Sequence, residues 1–158
     1  MIKAAFMLPH PPIIIPDIGK GEEKKIQKTI EAYHAAARKI GSLKPDTIIL
    51  MSPHQILYSD YFHISPGESA SGDLSQFRVP HVQMEVRYDT EFVELICKLA
   101  NAADFPAGTE GERDKRLDHG TMVPLYFVDQ FFSGYQVVRI GLSGLPLVKH
   151  YELVECIK

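Results

Sequence analysis

The sequence has little cysteine: Cys97 and Cys156 are its only two, and no CxxC pair is present. A cysteine-based zinc site is therefore not expected. At 158 residues a single domain can bury most of its apolar surface without disulfide staples. Both cysteines fall in amphipathic helical patterns and are expected as buried free thiols. No apolar run approaches the roughly 20 residues of a membrane span. The start, Met1 to His10, has a short apolar run that Pro9 ends, so it is not a signal peptide. These absences imply a cytoplasmic, reduced setting. The formal net charge is -3, without the clustered cations that nucleic-acid binding needs. There is no low-complexity stretch, internal repeat or linker. The GxSxG elbow, the Walker-type phosphate loop and the GxGxxG fingerprint are also missing. Gly19-Lys20-Gly21 before a helix reads as a turn, and the mixed charges from Gly19 to Lys28 as a solvated helix start.

What is present reads as alternating strands and helices. Ile2 to Leu8 is a short apolar run ending at Pro9, which predicts a buried strand. Pro9 to Gly21 is a proline-rich loop. Ile26, Ile30, Tyr33, Ala37 and Ile40 recur at spacings of three and four, so Glu22 to Leu43 predicts an amphipathic helix ending near Gly41. Thr47 to Met51 is a second apolar strand. Strand, helix and strand make a βαβ unit with a parallel pair. Tyr61 to Ile64 predicts a short strand, Ser65 to Pro80 a surface loop, and Val82 to Tyr88 an edge strand. Asp89 or Thr90 caps a helix to about Ala103. A long loop then runs from Pro106 to Asp118. Thr121 to Phe132 predicts a helix with Pro124 in its first turn. A strand over Gln136 to Leu142 and a helix over Leu145 to Ile157 complete the chain. The whole predicts one α/β domain with a mostly parallel central sheet and helices on both faces. The strands Ile2–Leu8, Thr47–Met51 and Gln136–Leu142 are expected side by side or nearly so.

In open α/β sheets, ligands gather beyond the carboxyl ends of the strands. Pro9-His10-Pro11-Pro12 follows the first predicted strand, and Ser52-Pro53-His54 follows the second. Proline beside each histidine restricts the backbone and lowers the entropic cost of holding the imidazole. Neutral imidazole is a common ligand of iron and zinc. Taken together, His10 and His54 suggest a shared metal site, with a structural role for each as the alternative. His119, in Leu117-Asp118-His119-Gly120-Thr121, lies where a long loop meets a helix. It can be a plain cap, or it can exchange a proton with a bound substrate. His34, His63, His81 and His150 are assigned structural or surface roles.

Leu8-Pro9-His10-Pro11-Pro12, Ser52-Pro53-His54 and Leu117-Asp118-His119-Gly120-Thr121-Met122-Val123-Pro124-Leu125 together resemble the class III extradiol ring-cleavage dioxygenases. The nearest likeness is to the dioxygenase-like domain of bacterial AmmeMemoRadiSam system proteins, where a second domain can follow. The resemblance implies a non-haem iron(II) site that opens a small aromatic diol with dioxygen. It implies His10 and His54 as metal ligands and His119 as the acid-base residue of the substrate pocket. It also implies a carboxylate ligand and a further histidine from a downstream region, for which this sequence has no match. We therefore expect the N-terminal portion of a larger family domain, self-associating through an exposed sheet edge into a homo-oligomer. The acids Asp17, Glu112 and Asp118 are candidates for the third ligand. The alternatives are a non-catalytic relative that binds a metal, small molecule or protein, a zinc-bearing variant or metal-assisted hydrolase, and a protein with no metal at all.

Overall fold

The computed structural model describes residues 2–157. Its elements in chain order are α1 (Pro16–Gly19), α2 (Gln27–Leu43), β1 (Thr47–Ser52), β2 (Phe62–His63), β3 (Ser69–Leu74), β4 (Val79–Arg87), α3 (Thr90–Ala102), β5 (Ala107–Gly108), α4 (His119–Val128), β6 (Gln136–Gly141) and α5 (Leu147–Ile157). Short 3-10 turns precede α1, α2 and β4. The architecture is α/β, as the alternation of patterns predicts.

β1 and β6 form the central parallel pair, in register from Thr47 with Gln136 to Ser52 with Gly141. β6 also bridges to Ile64 on one side and, through Val137, to Tyr88. β2 pairs with β5 in parallel, and β3 with β4 as an antiparallel hairpin. The side-chain alternation of a strand sends neighbours to opposite faces. Ile48, Leu50 and Val137 accordingly pack in the core that holds Tyr33 and Ala37 of α2 and most of α4. Ile49, Val138 and Ile140 pack in the other core, with Val93 and Ile96 of α3 and Leu153 of α5. Helices thus cover both faces of the β1–β6 pair.

The strand expected over Ile2 to Leu8 does not form. That segment is irregular, with Met7 99% exposed and Ile2 and Phe6 also exposed. It is held by Leu8, which packs against the core, and by a hydrogen bond from Lys3 Nζ to the Leu43 carbonyl at 3.1 Å, not by a ladder. A short apolar run is a strand only when its backbone groups pair with a neighbouring edge, and among the described residues β1 pairs with β6 along one edge and with no segment along the other. The βαβ unit read from the sequence is therefore not closed.

The polar stretch read as a surface loop contains β3. Ser-Ala-Ser-Gly-Asp-Leu has weak strand character, yet β4 supplies a partner edge and Ala70 and Leu74 face the core. Gly72 matters here, because a Cβ would meet the Leu117 carbonyl oxygen at 2.7 Å. The Leu117 N–H donates to the Ser71 carbonyl at 3.0 Å, so β3 holds the approach to α4.

Several helix boundaries shift: α2 begins at Gln27 rather than Glu22, behind a 3-10 turn, α4 ends at Val128 rather than Phe132, and α5 begins at Leu147 rather than Leu145. α2 runs through Gly41 and ends at Leu43, with Lys44 taking the left-handed conformation at φ 45°. α4 begins at His119, not Thr121, because Asp118 caps it. Pro124 therefore lies in its second turn and leaves the Gly120 carbonyl without an intrahelical donor. Both cysteines are free and half-buried. Among the described residues no helix is long and apolar enough to cross a membrane.

Candidate metal centre and its cavity

His10 arrives on the proline-rich segment ahead of α1. The Tyr33 hydroxyl of α2 donates to the Pro9 carbonyl and ties that segment down. Burial pushes the Tyr33 phenol well above its ordinary value, so it remains a donor. His54 lies two residues past the end of β1, and its N–H donates to Ser52 Oγ at 3.2 Å. Ser52, buried at the end of β1, donates in turn to Asp118 Oδ1 at 2.5 Å. Asp118 also accepts from the Thr121 N–H at 3.1 Å and the Thr121 hydroxyl at 2.9 Å. These bonds cap α4 and lock its first residue, His119, to the His54 turn.

The three histidines converge. His10 Nε2 and His54 Nε2 are 2.9 Å apart. One ligand nitrogen from each of His10, His54 and His119 lies within 4.8 Å of the others. The His54 and His119 ring centroids are 3.9 Å apart, and Phe77 meets His119 edge-on at 5.3 Å. Burial holds the His119 imidazole below its ordinary value. The neighbouring His54 and, more weakly, His10 push the same way, and Asp118 opposes them. A neutral imidazole is the form that ligates a metal or accepts a proton.

These residues fit a metal ion. Ligand bonds of about 2.0–2.1 Å place two nitrogens on one ion roughly 3–4 Å apart. The 2.9 Å between His10 and His54 lies just below that range. His119 is near enough to join them after a small shift, which the sequence reading did not give it.

The candidate acids lie elsewhere. Asp17 Oδ1 is 2.7 Å from His81 Nε2, a pair on the surface that the sequence did not announce. Asp118 is occupied by Ser52 and Thr121. Glu112 Oε2 is 3.4 Å from His63 Nε2. Among the described residues no carboxylate groups with the three histidines within ligating distance.

A cavity of about 500 Å³ opens beside His54 and His119, and its lining also includes His63, Ser65, Glu112 and Arg139. The sequence reading gave His63 a structural or surface role. It is 2% exposed and its Nδ1–H donates to the Glu110 carbonyl at 3.0 Å. Arg139, 3% exposed on β6, was not singled out at all. Nothing in the local sequence marks either residue, since the cavity assembles β2, β6 and the loop before α4. His34 and His150 pack against Phe127 and Phe62, in keeping with structural roles.

With the fold and the histidine cluster in view, comparison with known proteins gives the class. Residues 4–158 match the family described as the catalytic LigB subunit of aromatic ring-opening dioxygenase, and the chain belongs to that family. A curated relative is Protein CA_C1420 of Clostridium acetobutylicum, 37% identical over 153 residues. The match takes in 92% of this chain and 33% of that protein, so the chain spans about a third of the relative's length.

Proposed function

We propose that this chain carries the histidine side of a non-haem iron(II) centre for extradiol cleavage of a catecholic aromatic by dioxygen. The observation that carries the reading is the convergence of His10 Nε2 and His54 Nε2 to 2.9 Å, with a cavity of about 500 Å³ beside His54. LigB-type dioxygenases are metal-dependent, and their family description names aromatic ring opening. His10 and His54 would hold the ion through neutral imidazole nitrogens. Bound iron would supply an electron path between the diol and dioxygen at an open coordination face. His119 would exchange a proton with a substrate hydroxyl, in the neutral form that its burial favours. Asp118 and Ser52 would keep the two histidine segments in fixed relation.

A second reading is favoured by one observation. The described residues bring no carboxylate to the cluster, and His119 lies within 4.8 Å of both other histidines. A three-histidine site would suit zinc or a non-catalytic metal-binding role as well as iron. The likeness to AmmeMemoRadiSam dioxygenase-like domains belongs to this proposal too, as does a cytoplasmic setting. So do a single domain over residues 1–158 and self-association as a homo-oligomer. The exposed apolar side chains of Leu147, Val148, Tyr151 and Val154 on α5 support self-association.

The test is turnover. Iron(II), dioxygen and a panel of catechols are supplied under reducing conditions, and the yellow ring-cleavage products are followed by absorbance. We expect little or no turnover by residues 1–158, because two neutral histidines supply no anionic ligand to iron(II). Turnover when a carboxylate ligand is supplied to the His10–His54 pair is the expected positive result. Robust turnover by residues 1–158 alone would overturn the view that the site lacks a ligand.

A further inference from the structure

The segment 109–116 forms one wall of the cavity, through Glu112, Asp114 and Arg116. Its two ends are tied down. At the first, the Tyr58 hydroxyl donates to the Gly111 carbonyl at 2.5 Å, and the Glu110 N–H donates to the Tyr61 hydroxyl at 3.4 Å. At the second, Arg139 Nη1 donates to the Arg116 carbonyl at 3.2 Å, and the Leu117 N–H to the Ser71 carbonyl at 3.0 Å. Gly111 turns the chain at φ 85°, a left-handed conformation that glycine takes without strain. Between the tied ends, Asp114 bonds within the segment, to Arg116, and the exposed Arg113 lies over the Tyr58 ring at 5.6 Å. The buried tie is Glu112. Its Oε2 stands 3.4 Å from Nε2 of His63 on β2, and the two side chains are 12% and 2% exposed.

This tie needs a proton that a neutral histidine lacks. His63 faces two acceptors, the Glu110 carbonyl 3.0 Å from Nδ1 and the Glu112 carboxylate at Nε2. A neutral imidazole has one N–H and one lone pair. In either tautomer, one ring nitrogen then points a lone pair at an oxygen. A second proton, on Nε2 or on the Glu112 carboxyl, makes both contacts attractive. Its loss leaves a largely buried carboxylate facing a neutral ring. The 3.4 Å contact lacks hydrogen-bond geometry, so it is an ion pair that can part without breaking a network.

The surroundings leave the pair as the group that switches. The Tyr58 ring centroid is 6.2 Å from that of His63. Burial pushes the Tyr61 and Tyr88 phenols up, so both stay neutral. Arg139 keeps its charge, with Nη2 4.0 Å from Asp118 Oδ2. The Arg116 N–H holds the Asp114 carboxyl below its ordinary value. Glu110, Arg113 and Arg116 are exposed and complete the charges of the segment. Histidine is the side chain whose charge ordinarily changes between about pH 5 and 8.

We propose that residues 112–115 are a lid on the cavity, latched shut while His63 and Glu112 share a proton and released when they lose it. Raising the pH removes that proton, the Nε2 lone pair faces the carboxylate, and Glu112 swings out to water about the Gly111 turn. His63 is thus a positioning residue that sets whether this wall is closed. The latch goes beyond the proposed function, and holds for any ligand of the cavity and any metal at the histidine cluster.

Trypsin reads the lid directly, because Arg113 and Lys115 lie in it. Residues 1–158 are digested briefly at about pH 5 and about pH 8, the span over which histidine ordinarily titrates. Rates are normalised at each pH to an unstructured reference peptide, and the cuts are located by mass spectrometry. Cleavage of a native protein tracks the population of the open form. Cleavage after Arg113 or Lys115 should be about tenfold faster at the higher pH, the scale of one charge-assisted contact. Cleavage after Arg38 in α2 should not change. Glu112→Gln should stay slow at both values, because an amide offers its oxygen to the imidazolium and its nitrogen to the neutral ring. Glu112→Ala should be fast at both. If Glu112→Ala does not fold, the parent and Glu112→Gln decide between them. A parent rate that ignores pH, a rise shared by Arg38, a parent-like rise in Glu112→Gln, or a rise retained in Glu112→Ala would each overturn the latch.

Discussion

The Ser52 hydroxyl donates to Asp118 Oδ1 at 2.5 Å, and this bond fastens the end of β1 to the start of α4. His54 follows the first of these residues by two positions, and His119 follows the second by one. Two histidines far apart in the chain thereby share one small hydrogen-bonded unit.

Removing that unit should cost stability. Asp118→Ala loses a helix cap and a buried hydrogen bond to a charged acceptor. We expect a loss of about 2–3 kcal/mol in denaturant unfolding, with most of it recovered by Asp118→Asn. A change within about 0.5 kcal/mol would mean that water replaces the carboxylate without penalty.

Gly120 should be intolerant of even one methyl group. A Cβ there would stand 2.9 Å from Asp118 Oδ1 and 3.0 Å from His54 Cδ2, and would press on Ser52 Oγ. Gly120→Ala should lower stability by about 1–3 kcal/mol through overpacking. It should also weaken metal binding by displacing His54. Affinity equal to that of the parent protein, measured by chelator competition, would show that the histidine cluster does not depend on this close approach.

His119 decides between the two readings of the site. If it serves the substrate, His119→Ala should retain nearly the full metal content of the parent after anaerobic loading. Metal loss comparable to that of His54→Ala would make it a third ligand.

Asp129 provides a pH test away from the cavity. Although its side chain reaches solvent, partial desolvation by the neighbouring chain raises its carboxyl above the ordinary value, while the Tyr135 hydroxyl, donating at 2.5 Å, opposes the rise. The folded chain then binds this proton more tightly than the unfolded chain. Its contribution is present in acid and is lost as pH climbs from the ordinary carboxylate range through the raised folded value. Asp129→Asn lacks that loss, so its stability relative to the parent should increase from acid to neutral pH. A difference that stays constant with pH would contradict the assignment.

The histidine positions were readable because short-range signals mark them: a proline beside His10, a strand end before His54, and a carboxylate and glycine around His119. The β1, β4, β6 and α2 to α5 segments were readable from periodicity, within a few residues at their ends. Ile2 to Leu8 misled because apolar content cannot report whether a run will pair with a sheet edge, and the open edge of β1 takes no strand from it. β3 was missed because Ser69 to Leu74 owes its strand form to β4, not to its own propensity. His63 and Arg139 were invisible as cavity residues because their neighbours there come from distant segments. Their roles depend on tertiary contacts that no local pattern records.

The central claim is that His10 and His54 share one metal ion. Anaerobic iron(II) titration of the chain, with His10→Ala and His54→Ala alongside, measures it directly. Loss of a residue that only orients a ligand typically costs 10–100-fold in metal affinity, so loss of a ligand should cost at least about a hundredfold. The account predicts one ion per chain in the parent and that loss in both variants. No binding by the parent, or binding that survives either substitution, would contradict it.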